Sequence, residues 1–166
     1  MQKLSLHIDF TEYDSIDELD PADKALIEKA SDALLQAYAP YSNFKVGAAI
    51  LLDNGEIILG NNQENAAYPT GLCAERVALF FAGANYPATK IKTIAVSARS
   101  GKFMIKDVLT PCGGCRQAIA EYEVKQQSPI RIIMTSEKGK VLVAESIDAL
   151  LPLKFYSHNF GTPSGK

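Results

Sequence analysis

All three cysteines of this chain stand in two short segments that one fold must bring together. Cys73 lies in Leu72-Cys73-Ala74-Glu75-Arg76, and the other two lie in Pro111-Cys112-Gly113-Gly114-Cys115-Arg116-Gln117. An odd number of cysteines indicates metal binding or catalysis rather than a disulfide framework. Three thiols beside one carboxylate are the groups that a catalytic zinc site with its own acid/base requires.

The spacing of these residues predicts where the metal lies. Cys112 and Cys115 are three residues apart at the start of a predicted helix, so they share one face of its first turn. Cys73 and Glu75 are two residues apart, which would place them ~200° apart around the middle of a helix. They can serve one metal only if it lies beside the first turn. We therefore infer two helix N-termini that face a single ion.

Three protein ligands leave a fourth position open, which is the pattern of a catalytic zinc rather than a structural one. A water there has its pKa lowered by the metal, and Glu75 is placed to take and return protons. His7 and His158 are the only histidines, and either could close the site only through a long-range contact. We also expect Arg76 to hydrogen-bond a cysteine sulfur and offset the charge of the thiolates.

Length and charge narrow the class of protein. With 166 residues and a net charge of −2, we expect one domain over residues 1–160 and a flexible tail over 161–166. The sequence has no run of basic residues long enough to neutralise several phosphates, which argues against a nucleic-acid partner. The start of the chain lacks the apolar core of a signal peptide, and no apolar run approaches the ~18–20 residues of a membrane span. These features predict a cytoplasmic protein without a membrane partner.

The periodicity predicts an α/β fold of element order α-β-β-α-β-α-β-β-α. Strands rich in Val, Ile and Ala without alternation are usually covered on both faces, so we expect a three-layer α-β-α sandwich around a five-stranded mixed sheet. Residues 1–19 are interpreted as a short strand or an irregular arm, and Gly47 indicates a close approach to its strand. Helices are predicted over 20–39, 72–84, 112–122 and 146–151, and strands over 44–52, 56–60, 91–97, 130–135 and 141–144.

The two cysteine segments resemble the double signature of the zinc-dependent cytidine deaminases of free nucleosides, specifically the small homotetrameric class. The resemblance covers about residues 41–155. It implies one Zn²⁺ per chain, held by Cys73, Cys112 and Cys115, with Glu75 as the catalytic residue. It also implies a homotetramer whose pockets are shared between subunits.

Further segments carry the resemblance and imply the substrate contacts. Asn62-Gln63-Glu64-Asn65-Ala66-Ala67-Tyr68-Pro69 is similar to the family's ribose-binding segment, in which Asn62 and Glu64 would bond the sugar hydroxyls. Phe44 would pack on the pyrimidine, and backbone groups near Ala74 would hold its exocyclic edge. Phe155 would complete the pocket of a neighbouring subunit. The implied substrate-binding residues are Phe44, Asn62, Glu64, Ala66, Tyr68, Ala74 and Phe155.

The resemblance implies hydrolytic deamination of cytidine and 2′-deoxycytidine to uridine and 2′-deoxyuridine plus ammonia, a reaction of pyrimidine salvage. Hydroxide held by the zinc would attack C4, while Glu75 protonates N3, receives the water proton and passes it to the leaving ammonia. Glu64 argues against nucleotides, because a carboxylate beside the sugar repels phosphate. Three alternatives stay open: a deaminase of a nucleoside-like antibiotic or other amino-heterocycle, a polynucleotide-editing deaminase, and a non-catalytic zinc-stabilised module.

Overall fold

A mixed sheet lies between one helix on one face and two helices on the other, as the sequence predicts. The computed structural model describes residues 1–156, in which the sheet has six strands in the order β1-β6-β5-β4-β2-β3. Only β4 and β5 pair in parallel. The strands are β1 (Thr11–Tyr13), β2 (Phe44–Leu52), β3 (Ile57–Asn61), β4 (Ile91–Ser100), β5 (Arg131–Thr135) and β6 (Val141–Ala144), and the helices are α1 (Pro21–Ala33), α2 (Ala74–Asn85) and α3 (Gly113–Gln126).

The prediction of five strands was one strand short. Thr11–Tyr13 pairs antiparallel with β6, with Thr11 opposite Val143. Three residues carry no measurable periodicity, and only Tyr13 among them is half-buried. This strand forms by pairing with the free edge of β6, so it depends on a tertiary contact rather than on a local sequence pattern. The helix expected over 146–151 is likewise only a 3₁₀ turn at Ile147–Ala149, closed by Pro152.

Alternate residues of the central strands enter two different cores. Ala48, Ile50 and Leu52 of β2 face the layer of α2 and α3. Ala49 faces α1 instead, where it joins a second buried cluster. Because both faces of the sheet are covered, the strands are apolar throughout rather than alternating.

Two glycines set the distance between helices and sheet. A Cβ at Gly47 would lie 2.0 Å from the carbonyl oxygen of Ala30, so α1 touches the backbone of β2 directly. This confirms the close approach predicted at Gly47. A Cβ at Gly60 of β3 would lie 2.5 Å from the carbonyl oxygen of Ala74. The first turn of α2, which carries the first cysteine segment, is therefore pressed against the sheet.

Some predictions lie outside the described residues. These are the end of the domain at residue 160, the flexible tail over 161–166 and any role of His158. Among residues 1–156, none of the helices combines the length and the apolar character needed to cross a membrane.

Candidate active site

The three cysteine sulfurs meet where the N-termini of α2 and α3 face each other. Cys73 is the N-cap residue of α2, Cys112 is the N-cap residue of α3, and Cys115 follows in the first turn of α3. The Sγ atoms of Cys73 and Cys112 are 3.8 Å apart, and those of Cys112 and Cys115 are 3.5 Å apart. All three lie within 4.8 Å of one another.

This spacing fits zinc. Tetrahedral zinc with Zn–S bonds of about 2.3 Å requires sulfur atoms roughly 3.8 Å apart. In residues 1–156 the cluster consists of the three cysteines alone, without His7. The three thiols are therefore the protein ligands that the described chain offers to one ion, and three ligands would leave a fourth position for water.

The surroundings favour the thiolate form of Cys73. This residue is the N-cap of α2 and makes no side-chain capping bond, and the positive end of a helix dipole favours negative charge. The pKa of Cys73 is lowered chiefly by a hydrogen bond from Cys115, with Arg76 adding to the effect. Arg76 Nη2 lies 3.6 Å from the Cys73 sulfur. That is the cysteine contact expected of Arg76, although its effect on zinc stays a prediction.

The neighbouring thiol of Cys115 keeps its own proton. The pKa of Cys115 is raised, first by its hydrogen bond to Cys73 and then by burial. A divalent cation would displace such a proton, because metal binding requires every ligand thiol to be deprotonated. The cluster therefore has the donor atoms, the spacing and the charge of a zinc site.

Glu75 is a buried carboxylate beside this cluster. It is the second residue of α2 and is only 5% exposed. Burial raises its pKa, and the charge of Cys73 adds to the increase. A carboxylate whose pKa is shifted toward neutrality exchanges protons readily, which suits a proton carrier.

A cleft of about 720 Å³ opens beside the cluster, and Cys73, Cys112 and Glu75 line its floor. Of the predicted substrate residues, Phe44, Asn62, Glu64 and Tyr68 line its walls. That volume lies in the range of small-molecule sites. The structure thus brings the cysteine cluster and most of the predicted substrate residues to one cavity.

The polar side chains of the wall already have protein partners. Asn62 Nδ2 donates to the carbonyl oxygen of Phe44 at 2.9 Å, and Asn62 Oδ1 accepts from the N–H of Val46 at 2.8 Å. Glu64 accepts from the N–H of Tyr41 at 2.9 Å and from the hydroxyl of Ser42. The Ser42 bond is the main reason that the pKa of Glu64 is lowered, so this carboxylate is charged at neutral pH.

Three predicted substrate residues do not line this cleft. Ala66 is exposed on the neighbouring loop, and Ala74 is fully buried at the start of α2. Phe155 is 60% exposed, and its carbonyl oxygen accepts from Gln117 Nε2 at 2.6 Å. The roles suggested for these three residues remain predictions.

The cleft also has lining residues that were not predicted. Leu109 and Thr110 line it; their position directly before Pro111-Cys112 was a signal that could have identified them. Phe103 contacts the cleft residue Phe44, with ring centroids 6.3 Å apart. Its loop is held by Glu137, which accepts from the N–H groups of Ser100 and Ile105. No local sequence pattern predicts this contact, since it joins the start of β2 to a loop that is distant in sequence.

Comparison with known families agrees with the site. The family described as the cytidine and deoxycytidylate deaminase zinc-binding region matches residues 20–128. The chain belongs to this deaminase family. The resemblance inferred from the cysteine segments is confirmed, and the protein is an enzyme of a zinc-binding deaminase family. Residues 1–19, including β1, lie outside the matched region.

Individual relatives extend the match over most of the chain. A cytidine deaminase of Sporosarcina psychrophila is 38% identical over 130 residues, covering 78% of this chain and 88% of that protein. The crystal structure of a cytidine deaminase from Burkholderia pseudomallei superposes with a TM-score of 0.68 at 40% identity, covering 79% of this chain and 97% of that one. A blasticidin-S deaminase of Bacillus cereus is more distant. It is 30% identical over 135 residues, which cover 80% of this chain and 91% of that protein.

Proposed function

We propose that this enzyme hydrolyses free cytidine and 2′-deoxycytidine to uridine and 2′-deoxyuridine, releasing ammonia. The observation that carries the proposal is the placement of Cys73, Cys112 and the buried Glu75 at the floor of one cleft, with the Cys115 sulfur within 4.8 Å of the other two sulfurs. Water and the nucleoside are consumed, the C4–N bond breaks, and a carbonyl replaces the amine. The relatives named cytidine deaminase support this choice of substrate.

Cys73, Cys112 and Cys115 would hold zinc, which lowers the pKa of a water at its open position. Glu75 carries the protons of the reaction. It accepts in turn the two protons of the attacking water, one as the oxygen bonds to C4 and one as the C4–N bond breaks, and it delivers one to N3 of the base and one to the departing amine. Burial raises the pKa of Glu75 above its ordinary value, which favours a carboxyl that can hold a proton between two transfers.

The cleft wall supports a free nucleoside. Glu64 is negatively charged, so it accepts hydroxyl donors and repels a phosphate group on the sugar. Asn62 holds the backbone of Phe44 and Val46, which fixes the aromatic ring at the cleft wall. We therefore propose that Glu64 binds the ribose hydroxyls. Asn62 would bind the ribose as well and also holds the backbone of the cleft wall.

A second candidate is the deamination of a nucleoside-like antibiotic. The blasticidin-S deaminase relative favours it, and the segment Leu151-Pro152-Leu153-Lys154-Phe155 also fits such enzymes. In this chain Lys154 pairs with Asp148 and lies 3.9 Å from Glu123. Those pairs explain Lys154 as a support of the C-terminal segment, without assigning it to a substrate.

One substrate series separates these functions. The purified enzyme is incubated with cytidine, deoxycytidine, cytosine, CMP and blasticidin S, and the loss of the amine is followed by absorbance. We expect turnover of the two nucleosides, with kcat/KM at least about 100-fold lower for cytosine and CMP. Turnover of blasticidin S without turnover of cytidine would establish the second candidate instead.

The proposed assembly is a homotetramer that holds zinc at one site per chain and shares pockets between subunits. Phe155 supports it, because this ring is largely exposed and does not line the cleft of its own chain. Its carbonyl is held by Gln117 on α3, so the ring is presented from a fixed segment. Light scattering should give four times the chain mass, and Phe155→Ala should raise KM without removing zinc.

A further inference from the structure

Arg116 and Gln117 end the second cysteine segment, yet neither has a part in the zinc chemistry. Arg116 makes three hydrogen bonds, each from a different nitrogen. Its Nε donates to the carbonyl oxygen of Pro111 at 2.7 Å, its Nη2 to the hydroxyl of Thr110 at 3.0 Å, and its Nη1 to the carbonyl oxygen of Leu150 at 2.9 Å. The guanidinium thus joins two segments that are 40 residues apart in sequence.

Two of these bonds hold the chain that leads into a zinc ligand. Thr110 and Pro111 directly precede Cys112, and Thr110 also lines the cleft. Pro111 has no N–H of its own with which to anchor this loop. The position of the Cys112 sulfur therefore depends on the guanidinium, which fixes both residues before it.

The third bond and Gln117 hold the C-terminal segment. Arg116 binds the carbonyl of Leu150, and Gln117 Nε2 binds the carbonyl of Phe155. Both ends of the segment 150–155 are therefore attached to consecutive residues of α3. Cys115, which immediately precedes them, is itself in the sulfur cluster.

The charge of Arg116 does not explain its place. Among residues 1–156, every salt bridge found involves a cation other than Arg116. The three hydrogen bonds of its guanidinium go to two carbonyls and a hydroxyl, all neutral. The three bonds depend on the planar arrangement of N–H donors in the Arg116 guanidinium, which a lysine ammonium cannot reproduce.

We propose that Arg116 is a positioning residue that holds Cys112 in place for zinc and fastens the segment 150–155 to the same helix, with Gln117 completing the second attachment. Zinc retention and the placement of Phe155 are thereby coupled through one side chain. The proposal rests on the proposed function in that it takes zinc to be bound by the three cysteines.

The test compares Arg116→Lys with a matched control, Arg131→Lys. Arg131 also has a partly buried guanidinium with two fixed partners, Asp23 and Glu145, but its partners belong to neither cysteine segment. Zinc transfer from each holoenzyme to a coloured chelator is timed, and hydrogen exchange of residues 150–156 is measured. For Arg116→Lys we expect zinc release about 10-fold faster or more, together with faster exchange of that segment. For Arg131→Lys we expect lower thermal stability with zinc release unchanged.

Gln117→Ala keeps the proposal testable if Arg116→Lys does not fold. It should speed exchange near Phe155 while zinc release stays at the wild-type rate, because the Gln117 side chain donates to the carbonyl of Phe155 and not to the residues before Cys112. Zinc release at the wild-type rate in Arg116→Lys, or unchanged exchange in Gln117→Ala, would overturn the proposal. Wild-type protein that binds no zinc would instead refute the proposed function, so the two failures are distinct.

Discussion

The floor and the wall of the cleft are built in different ways. At the floor, two cysteine sulfurs and one carboxylate come from the starts of two helices, and the buried Cys115 sulfur lies within 4.8 Å of the other two. In the wall, Asn62 and Glu64 already bond the backbone of the segment over 41–46. The floor therefore depends on the identity of each atom, whereas the wall depends on a network that shapes the cavity.

This difference predicts how each region responds to substitution. Replacing a metal ligand removes one bond to the metal entirely, so substitutions at the floor should abolish activity. A network loses its geometry gradually, so changes in the wall should raise KM by measurable factors. The predictions below test that contrast, from the largest effect to the smallest.

Cys112→Ser should remove zinc and activity while leaving the fold intact. Serine is a preferred N-cap residue, so the start of α3 gains a normal cap as the site loses a thiolate. We expect zinc well below one per chain and no measurable turnover, with a far-UV spectrum like that of the wild type. Stoichiometric zinc with normal turnover in this variant would show that Cys112 is not a ligand.

Asn62→Asp should raise KM about 5- to 100-fold and leave zinc bound. The carboxylate can still accept from Val46, but it cannot donate to the carbonyl of Phe44 and leaves that oxygen unpaired, which costs roughly 1–3 kcal/mol. Steady-state kinetics and zinc content measure the effect. The neighbouring Asn61→Asp is the control, for which KM should change less than about 3-fold. Equal KM values in the two variants would exclude a special role for Asn62.

Phe103→Ala should raise KM about 2- to 10-fold with kcat unchanged. The ring packs on Phe44, and an aromatic pair contributes about 0.5–1.5 kcal/mol beyond its buried area. Met104→Ala, on the same loop and equally exposed, controls for the loss of surface area. An unaltered KM for Phe103→Ala would show that Phe44 needs no support from this loop.

Asp20→Ala should cost about 1 kcal/mol of stability and leave the kinetics unchanged. Asp20 caps α1 by accepting from the N–H groups of Ala22 and Asp23, and such caps contribute about that much. The bond to Asp23 is the main reason that the pKa of Asp20 is lowered. Its contribution is therefore present above the ordinary carboxyl pKa of about 4 and is lost as the pH falls through the lower folded value. Urea unfolding at pH 7 and pH 3 should show a smaller difference from wild type at pH 3 than at pH 7.

The same contrast explains what the sequence could predict. Cys73, Glu75, Cys112 and Cys115 obey helix geometry over two or three residues, so spacing alone predicted a shared site at two helix starts. The central strand Phe44–Leu52 was predicted with its observed bounds because a continuous apolar run marks a strand covered on both faces. Local physics was sufficient in both cases.

Tertiary contacts account for what the sequence did not predict. The sequence left residues 1–19 open between a short strand and an irregular arm, and pairing with the edge of β6 makes Thr11–Tyr13 a strand. The bonds of Asn62 to Phe44 and Val46 span 16 to 18 residues, and the contact of Phe103 with Phe44 spans 59 positions in the printed sequence. No periodic pattern reports such pairs, since they depend on how completed elements pack.

The most direct measurement compares zinc content and cytidine turnover in the wild-type enzyme and in Glu75→Gln. The wild type should carry about one zinc per chain, as three thiolate ligands allow, and should convert cytidine to uridine. Glu75→Gln should keep the zinc and the fold, with kcat lowered at least about 100-fold because its amide cannot carry the proton. Wild-type turnover in a zinc-loaded Glu75→Gln variant would contradict the assignment of Glu75 as the proton carrier at the floor of the cleft.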